Sequence, residues 1–162
     1  MEMTHSGVGE SNYNIQEYVE NDSVSNECKK KISSVDFLIL PYKYEKNFYF
    51  SQEAVSFLKY CRNLDNEHSW DILADDNIEI RALHSFDIWM PIIQVASLVL
   101  LPISLNLVSN YIWDRMKGRE NENCQVDVTF KIQDGEKVKE LHYKGDATSF
   151  KDRFEKIDIN NL

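Results

Sequence analysis

Paired cysteines are missing from this chain. Cys28, Cys61 and Cys124 are odd in number and widely spaced, which excludes a disulfide framework and a zinc ribbon, since both need paired spacings. They read as three reduced thiols. Positive charge is also scarce: 18 Lys and Arg stand against 27 Asp and Glu, a net charge of -9. A nucleic-acid backbone needs clustered cations, so no nucleic acid is expected as a partner. The negative excess lies mostly in residues 1–91, and the one weakly basic patch is Arg115, Lys117 and Arg119. The first thirty residues are polar and acidic, so no signal peptide is expected there.

Catalytic motifs are absent in the same way. His68, Asp71, Asp75, Asp76, His84 and Asp87 are rich in ligand atoms, but no metal-ligand spacing organises them. Ser85 beside His84 is more simply a helix cap than a nucleophile, because triads are set by geometry and not by adjacency. Gly7 and Gly9 follow no strand and precede no Gly-Lys-Ser/Thr, so they make no phosphate loop. Trp70, Trp89 and Trp113 read as core or interface aromatics. No enzyme, cofactor or metal site is expected.

What is present is a run without charge. From Ile88 to Trp113, 26 residues pass before Asp114. Read as one helix, 88–113 is long enough to span a hydrocarbon core of about 30 Å, with the Arg and Lys cluster behind it as a cytoplasmic anchor. Gln94, Ser97, Ser104, Asn106, Ser109 and Asn110 interrupt the run and want partners in lipid. Pro102 is expected to kink it near Leu98. A spanning helix would also place the flanking strands on opposite sides of a bilayer, which favours a helix buried in protein. The membrane-embedded alternative stays open beside it.

The remainder patterns as a small α+β domain. Residues 1–34 read as a flexible acidic tail with a short helix around Ile15 to Val19, and 35–162 as a single domain containing the apolar helix 88–113. Residues 35–40 form an apolar first strand stopped by Pro41. Ser51 is placed to cap a helix carrying Ala54, Val55, Phe57, Leu58 and Cys61 at helical spacing. Strands are expected at 70–73 and 77–83, joined by an acidic turn. Val126, Val128, Phe130 and Ile132 alternate with Asp127, Thr129 and Lys131 before Asp134-Gly135, a hairpin signature. The return strand, roughly 137–143, is less regular and expected to hold a bulge. Asp146 caps a last helix with Phe150, Phe154 and Ile157 on one face. The expected order is β-α-β-β-long α-β-hairpin-α, on a small mixed sheet.

Several of these stretches resemble the effector-associated constant component domains, small accessory proteins of bacterial conflict and antiphage systems. The likeness spans about 35–157. It rests on Phe37-Leu38-Ile39-Leu40-Pro41, Phe57-Leu58-Lys59-Tyr60 and Tyr111-Ile112-Trp113-Asp114-Arg115. Downstream come Val126-Asp127-Val128-Thr129-Phe130, Gln133-Asp134-Gly135 and Gly145-Asp146-Ala147-Thr148-Ser149-Phe150. Here Pro91 and bulky aliphatics replace the Gly-rich stretch that often opens the family's long helix. The resemblance implies a non-catalytic adaptor encoded beside protease or nuclease effectors and signalling ATPases, with no catalytic residues. The expected function is an adaptor or scaffold in a bacterial defence or signalling system, cytoplasmic and acting through a protein partner or self-association. Leu98, Leu101, Leu105, Asn106, Asn110 and Trp113 are the expected contact residues. The alternative is a membrane-anchored effector or sensor, associated with the inner membrane through 88–113.

Overall fold

The computed structural model describes residues 5–10, 15–20, 24–44, 47–75, 78–81, 88–118 and 123–155. The class is α+β, and its centre is a pair of strands that are apolar on both faces. Strand β2 (Phe37–Leu40) is buried at all four positions, and β7 (Ile88–Val95) at seven of its eight. They run antiparallel, Phe37 opposite Val95 and Leu40 opposite Ile92. Strands buried on both sides read as unbroken apolar runs, as these do.

Each central strand has a parallel neighbour reached over a helix. Chain leaving β2 passes through α4 (Ala54–Leu64) to β5 (Trp70–Ile72), which pairs parallel to β2. Chain leaving β7 passes through a 3-10 turn (Leu98–Leu100) and α5 (Leu101–Arg115) to β8 (Gln125–Asp134), parallel to β7. Strand β9 (Lys137–Asp146) returns antiparallel to β8, and β1 (His5–Glu10) pairs antiparallel with β9. The sheet order is β1-β9-β8-β7-β2-β5. A second sheet, in the order β3-β4-β6, joins β3 (Tyr42–Tyr44), β4 (Asn47–Ser51) and β6 (Ile80–Arg81).

One face of the main sheet packs against α4, α5 and the start of α6 (Phe150–Glu155). Phe37, Ile39, Met90, Ile93, Val128 and Phe130 meet Phe57, Cys61, Leu101, Val108 and Phe150 there. The opposite face, formed by Leu38, Leu40 and Ile92, meets Val19 of α1 (Ile15–Glu20), Val24 and Cys28 of α2 (Asn26–Lys29). Ile32 of the short α3 (Lys31–Ser34) packs against the same cluster. The described parts of residues 1–34 add the edge strand β1 and pack on one face of β2 and β7.

The run 88–113 is not one helix. Residues 88–95 are the central strand, and the helix proper begins at Leu101. Periodicity cannot distinguish a strand buried on both faces from a buried helix, and the two elements abut without a charged residue between them. Prolines mark the division. Pro91 lies where the β7–β8 register shifts between Trp89 and Ile92, and a bulge tolerates its missing N–H. Pro102 stands in the first turn of α5, where that donor has no intrahelical partner anyway, so it opens the helix and does not kink it. The polar interruptions divide likewise. Gln94 Nε2 donates to the Ile32 carbonyl of α3 at 3.0 Å, and Ser104 Oγ donates to the Leu101 carbonyl at 2.8 Å.

Other local expectations shift less. Ser51 ends β4, and Glu53 holds the N-cap position of α4. Strands β5 and β6 belong to different sheets and form no hairpin. The Asp134-Gly135 turn stands as expected, with Gly135 at φ +65 and Asp134 opposite Lys137. Strand β9 pairs with β8 in one unbroken register from end to end, so the bulge expected there is in β7. Asp146 caps a 3-10 turn (Ala147–Ser149) leading into α6, its carboxylate accepting from Thr148 N at 2.9 Å. Ile157 lies outside the described residues, and Phe154 is described in its backbone alone.

The edge at β5 is guarded. Arg62 Nε donates to the Trp70 carbonyl at 3.0 Å, and Lys31 Nζ donates to that of Ile72 at 3.2 Å. Asp71 takes the Ile72 N–H at 2.8 Å and pairs with both cations. These side chains occupy backbone groups that an added strand would need.

The division at 96–100 predicts a sharp contrast in urea unfolding. Leu101→Ala, at a fully buried position, is expected to cost about 2–5 kcal/mol. Asn106→Ala, on the exposed side of the same helix, is expected to change stability by no more than about 0.5 kcal/mol. Equal losses would contradict this orientation of α5.

Candidate functional surfaces

Helix α5 buries one side only. Leu101, Ser104, Leu105, Leu107, Val108, Tyr111 and Ile112 face the sheet and α4. The exposed side, with the turn before it, carries Val99, Pro102, Asn106, Asn110 and Trp113, flanked by the half-buried Ile103 and Ser109. None is charged. Val99 is 84% exposed and Trp113 57%, large values for apolar side chains. Among the expected contact residues, Asn106, Asn110 and Trp113 lie on this strip. Leu101 and Leu105 are buried in the core, and Leu98 is half-buried against it. Val99 was not singled out from the sequence.

The C-terminal end of α5 is fixed by a buried carboxylate. Glu53 accepts from the Tyr111 hydroxyl at 2.7 Å and pairs with Arg115 Nε at 3.0 Å. Burial and the neighbouring Glu53 together hold the Tyr111 hydroxyl in its protonated form well above the usual tyrosine range. Edge-to-face contacts of Tyr111 with Phe57 and Tyr60 lock α4 against α5. The orientation of the exposed strip is therefore rigidly set.

A second grouping lies on the other face of the sheet, over β8 and β9. The hairpin register sets Thr129 opposite His142 and Lys131 opposite Glu140. Lys131 forms an ion pair with Glu140, and His142 Nε2 lies 3.1 Å from Asp127 Oδ1. Thr129 and Lys131 are 6% and 5% exposed, so this is not the wet face that simple alternation suggests. Tyr42 reaches in from β3 to donate to the Met90 carbonyl at 3.0 Å, its ring 4.9 Å from that of Trp89. Burial pushes Lys131 down from the usual lysine range despite Glu140, and pushes the Tyr42 hydroxyl up. Counting back from the Asp134-Gly135 turn would have placed these pairs opposite one another. What hid them was that alternation marks sidedness without saying what covers the polar side.

The grouping is chemically closed: carboxylates face cations, and the cations are engaged. The other acidic and histidine residues of the expected cluster are separated. His68 pairs with Asp65 at 3.0 Å, Asp71 with Lys31 and Arg62, and Asp75 with Ser25 at 2.7 Å. Asp76, His84, Ser85 and Asp87 lie outside the described residues. Among the described residues, no group of three or more His, Cys, Asp or Glu is arranged to hold a metal ion. Trp70 and Trp89 are buried, Trp70 stacked on Phe37 at 4.2 Å. Cys28, Cys61 and Cys124 are buried and form no disulfide, and burial raises the Cys61 thiol far above its usual range. Among the described residues, no helix is long and apolar enough to cross a membrane. No family model matches the chain, and neither a curated protein nor a solved structure matches it.

The ion pairs give stability a defined pH dependence. The Asp127 carboxylate raises His142, and that of Asp65 raises His68. Groups raised on folding stabilise fully below their unfolded value of about 6.5 and lose that contribution as pH climbs through the raised folded value. Burial alone would raise Asp65, but hydrogen bonds from Trp70 and His68 outweigh it and hold it low. Asp75 is held low by Ser25. Their contributions are present above the usual carboxylate value of about 3.9 and vanish as pH falls through the depressed values. The thermal midpoint is expected to peak between about pH 4 and 6.5. His142→Asn should flatten its decline on the alkaline side. A midpoint rising from neutral pH upward would contradict this assignment.

Proposed function

We propose that this protein is a non-catalytic adaptor of a bacterial defence or signalling system, working through protein contact at the exposed face of α5. The observation that carries this reading is the strip of α5 from Pro102 to Trp113, about 17 Å long at 1.5 Å per residue, whose exposed side chains carry no charge until the Asp114–Lys117 pair at its end, on a chain of net charge -9. Solvent-facing helix surfaces are normally laced with charges. Interfaces exclude charge from their centres and favour aromatic residues, as Trp113 and its neighbours do. The non-catalytic part is supported, among the described residues, by ionisable groups engaged with one another: Lys131 with Glu140, His142 with Asp127, His68 with Asp65, and Asp71 with Lys31 and Arg62. The defence setting is supported by the likeness of several stretches to the effector-associated constant component domains. The chain is taken to act in the cytoplasm. Insertion of 88–113 as one spanning helix is set aside because its first eight residues are a sheet strand.

A photo-crosslinking residue placed at Asn110 is expected to trap a protein in living bacterial cells, with this chain itself counted as a candidate. The same residue at Lys59, exposed on α4, should trap none. Trp113→Glu should remove the adduct while leaving stability within about 0.5 kcal/mol of the parent. Equal labelling at the two positions, or an adduct indifferent to Trp113→Glu, would refute the assignment of this face.

A further inference from the structure

We infer that the β9 edge of the main sheet is a strand-addition site for an extended segment of another protein, closed in the free chain by β1 as a displaceable strap. This surface is separate from the α5 face and does not depend on the contact reading given for it.

Strand β1 ends the sheet and reads His-Ser-Gly-Val-Gly-Glu. Glycine loses more backbone freedom on ordering than any other residue and brings no side chain to pack. Gly-rich strands also have a weakly specified register and are prone to alternate pairing. Here the glycines stand at the positions that carry the ladder. Ala147 N–H donates to the Cys124 carbonyl at 2.9 Å, continuing the β8–β9 register in which Gln125 faces Asp146. Bonded pairs alternate along an antiparallel ladder, so the odd-numbered residues of β9 bond to β8. Glu140, His142 and Lys144 therefore turn their N–H and C=O groups to β1, where they face Gly9, Gly7 and His5.

Cross-strand side-chain pairs stabilise a sheet, and Gly7 and Gly9 have none to offer. Strand β9 asks for none there. Glu140 pairs with Lys131 and His142 with Asp127, both on β8. The strap is thus held largely by its backbone, and any other strand supplies the same backbone bonds. The two edges of the sheet differ in this respect. At β5 the side chains of Arg62, Lys31 and Asp71 occupy backbone groups. At β9 the cover is itself a strand, which a better one replaces bond for bond.

The register states the chemistry of that better strand. β-Branched residues in place of Gly7 and Gly9 raise its strand propensity. Apolar residues in place of Ser6 and Val8 stand opposite Tyr143 and Leu141, which belong to the core. An acidic residue in place of His5 stands opposite Lys144, an opposite-charge pair. Past the pairing of Glu10 with Lys139, β9 continues to Val138, which is 39% exposed. A second copy's β1 brings the same glycines and gains nothing over the resident strand, so the partner is an unlike protein.

The probe is a fluorescent peptide copying residues 4–11 with Ser6→Val, Gly7→Thr and Gly9→Thr. In fluorescence anisotropy it is expected to bind the full chain saturably, and the unaltered peptide at least about tenfold more weakly. A reversible lock tests displacement. Glu10 and Lys139 are register partners at a rung without ladder bonds, where Cα atoms lie about 4.5 Å apart, within disulfide range. The native cysteines are buried and do not compete. The oxidised Glu10→Cys, Lys139→Cys double variant should bind the peptide at least about tenfold more weakly, and reduction should restore binding. Gly7→Thr with Gly9→Thr in the chain itself should weaken peptide binding in the same direction without a disulfide. In hydrogen exchange of the unaltered chain, the amides of Glu140, His142 and Lys144 should exchange faster than those of Lys139, Leu141 and Tyr143. Absence of saturable binding, or equal protection of the two sets of amides, would overturn the strap. So would equal binding by the locked chain, which would put the peptide on the outer edge of β1.

Discussion

Antiparallel pairing of β2 with β7 is the constraint from which the rest of the structure follows. Both strands are apolar on both faces, so each needs cover above and below, and neither can lie at an edge. Each acquires a parallel neighbour through a crossover helix, which puts α4 and α5 on one face of the sheet. Since the parent strands are antiparallel, the two helices are as well. That brings the start of α4 to the end of α5, where Glu53 meets Tyr111 and Arg115. A buried carboxylate with a single partner would be costly. Engaged by a hydroxyl and a guanidinium, it ties the two crossover units together.

The second face of the same pair has a different solution. Leu38, Leu40 and Ile92 need cover, and no long helix supplies it. Short helices from the first 34 residues do so, pinned by Gln94 to the Ile32 carbonyl, by Tyr18 to the Leu73 carbonyl and by Asp75 to Ser25. Further along this face the apolar demand ends, and β8 and β9 present Asp127, Thr129, Lys131, Glu140 and His142. A polar group buried there must find a partner within the protein, and the hairpin register provides one for each charge. The edge at β5 obeys the same logic, with Arg62, Lys31 and Asp71 saturating backbone groups that would otherwise recruit a strand.

Legibility in the sequence followed the length over which a pattern could repeat. The β8–β9 hairpin was readable because Val126, Val128, Phe130 and Ile132 alternate ahead of an Asp-Gly turn. The positive φ of Gly135 is the backbone state that turn requires and glycine adopts without strain. The α4 core positions were readable because they recur at helical spacing over two turns. Residues 88–100 were misread because a strand buried on both faces and the helix after it share one composition. The helix at Ile15–Glu20 was expected around Ile15 to Val19; the short helices of residues 26–34 were missed because each is about one turn long, too brief for periodicity to show, and packs by tertiary contact with β2 and β7. Of the residues expected to make contacts, Asn106, Asn110 and Trp113 are exposed on α5. The buried state of Leu101 and Leu105 depended on the direction of α5, which the misread start of the helix concealed.

The polar and charge content of α5 is not explained by folding alone. Its buried side is fully accounted for by the sheet and α4, and stability asks nothing of the other side that lysine or glutamate could not supply; both are better helix formers than asparagine, and Val99 and Trp113 gain little from water. Exposed apolar groups also carry an aggregation cost. The strip from Pro102 to Trp113 keeps them without a charge, in a chain with charge in excess elsewhere, up to the Asp114–Lys117 pair at its C-terminal end. Rigid attachment through Glu53, Tyr111 and Arg115 makes that face a fixed platform, so a partner meets it without an ordering cost. The proposed contact at this surface would reconcile its composition with its exposure.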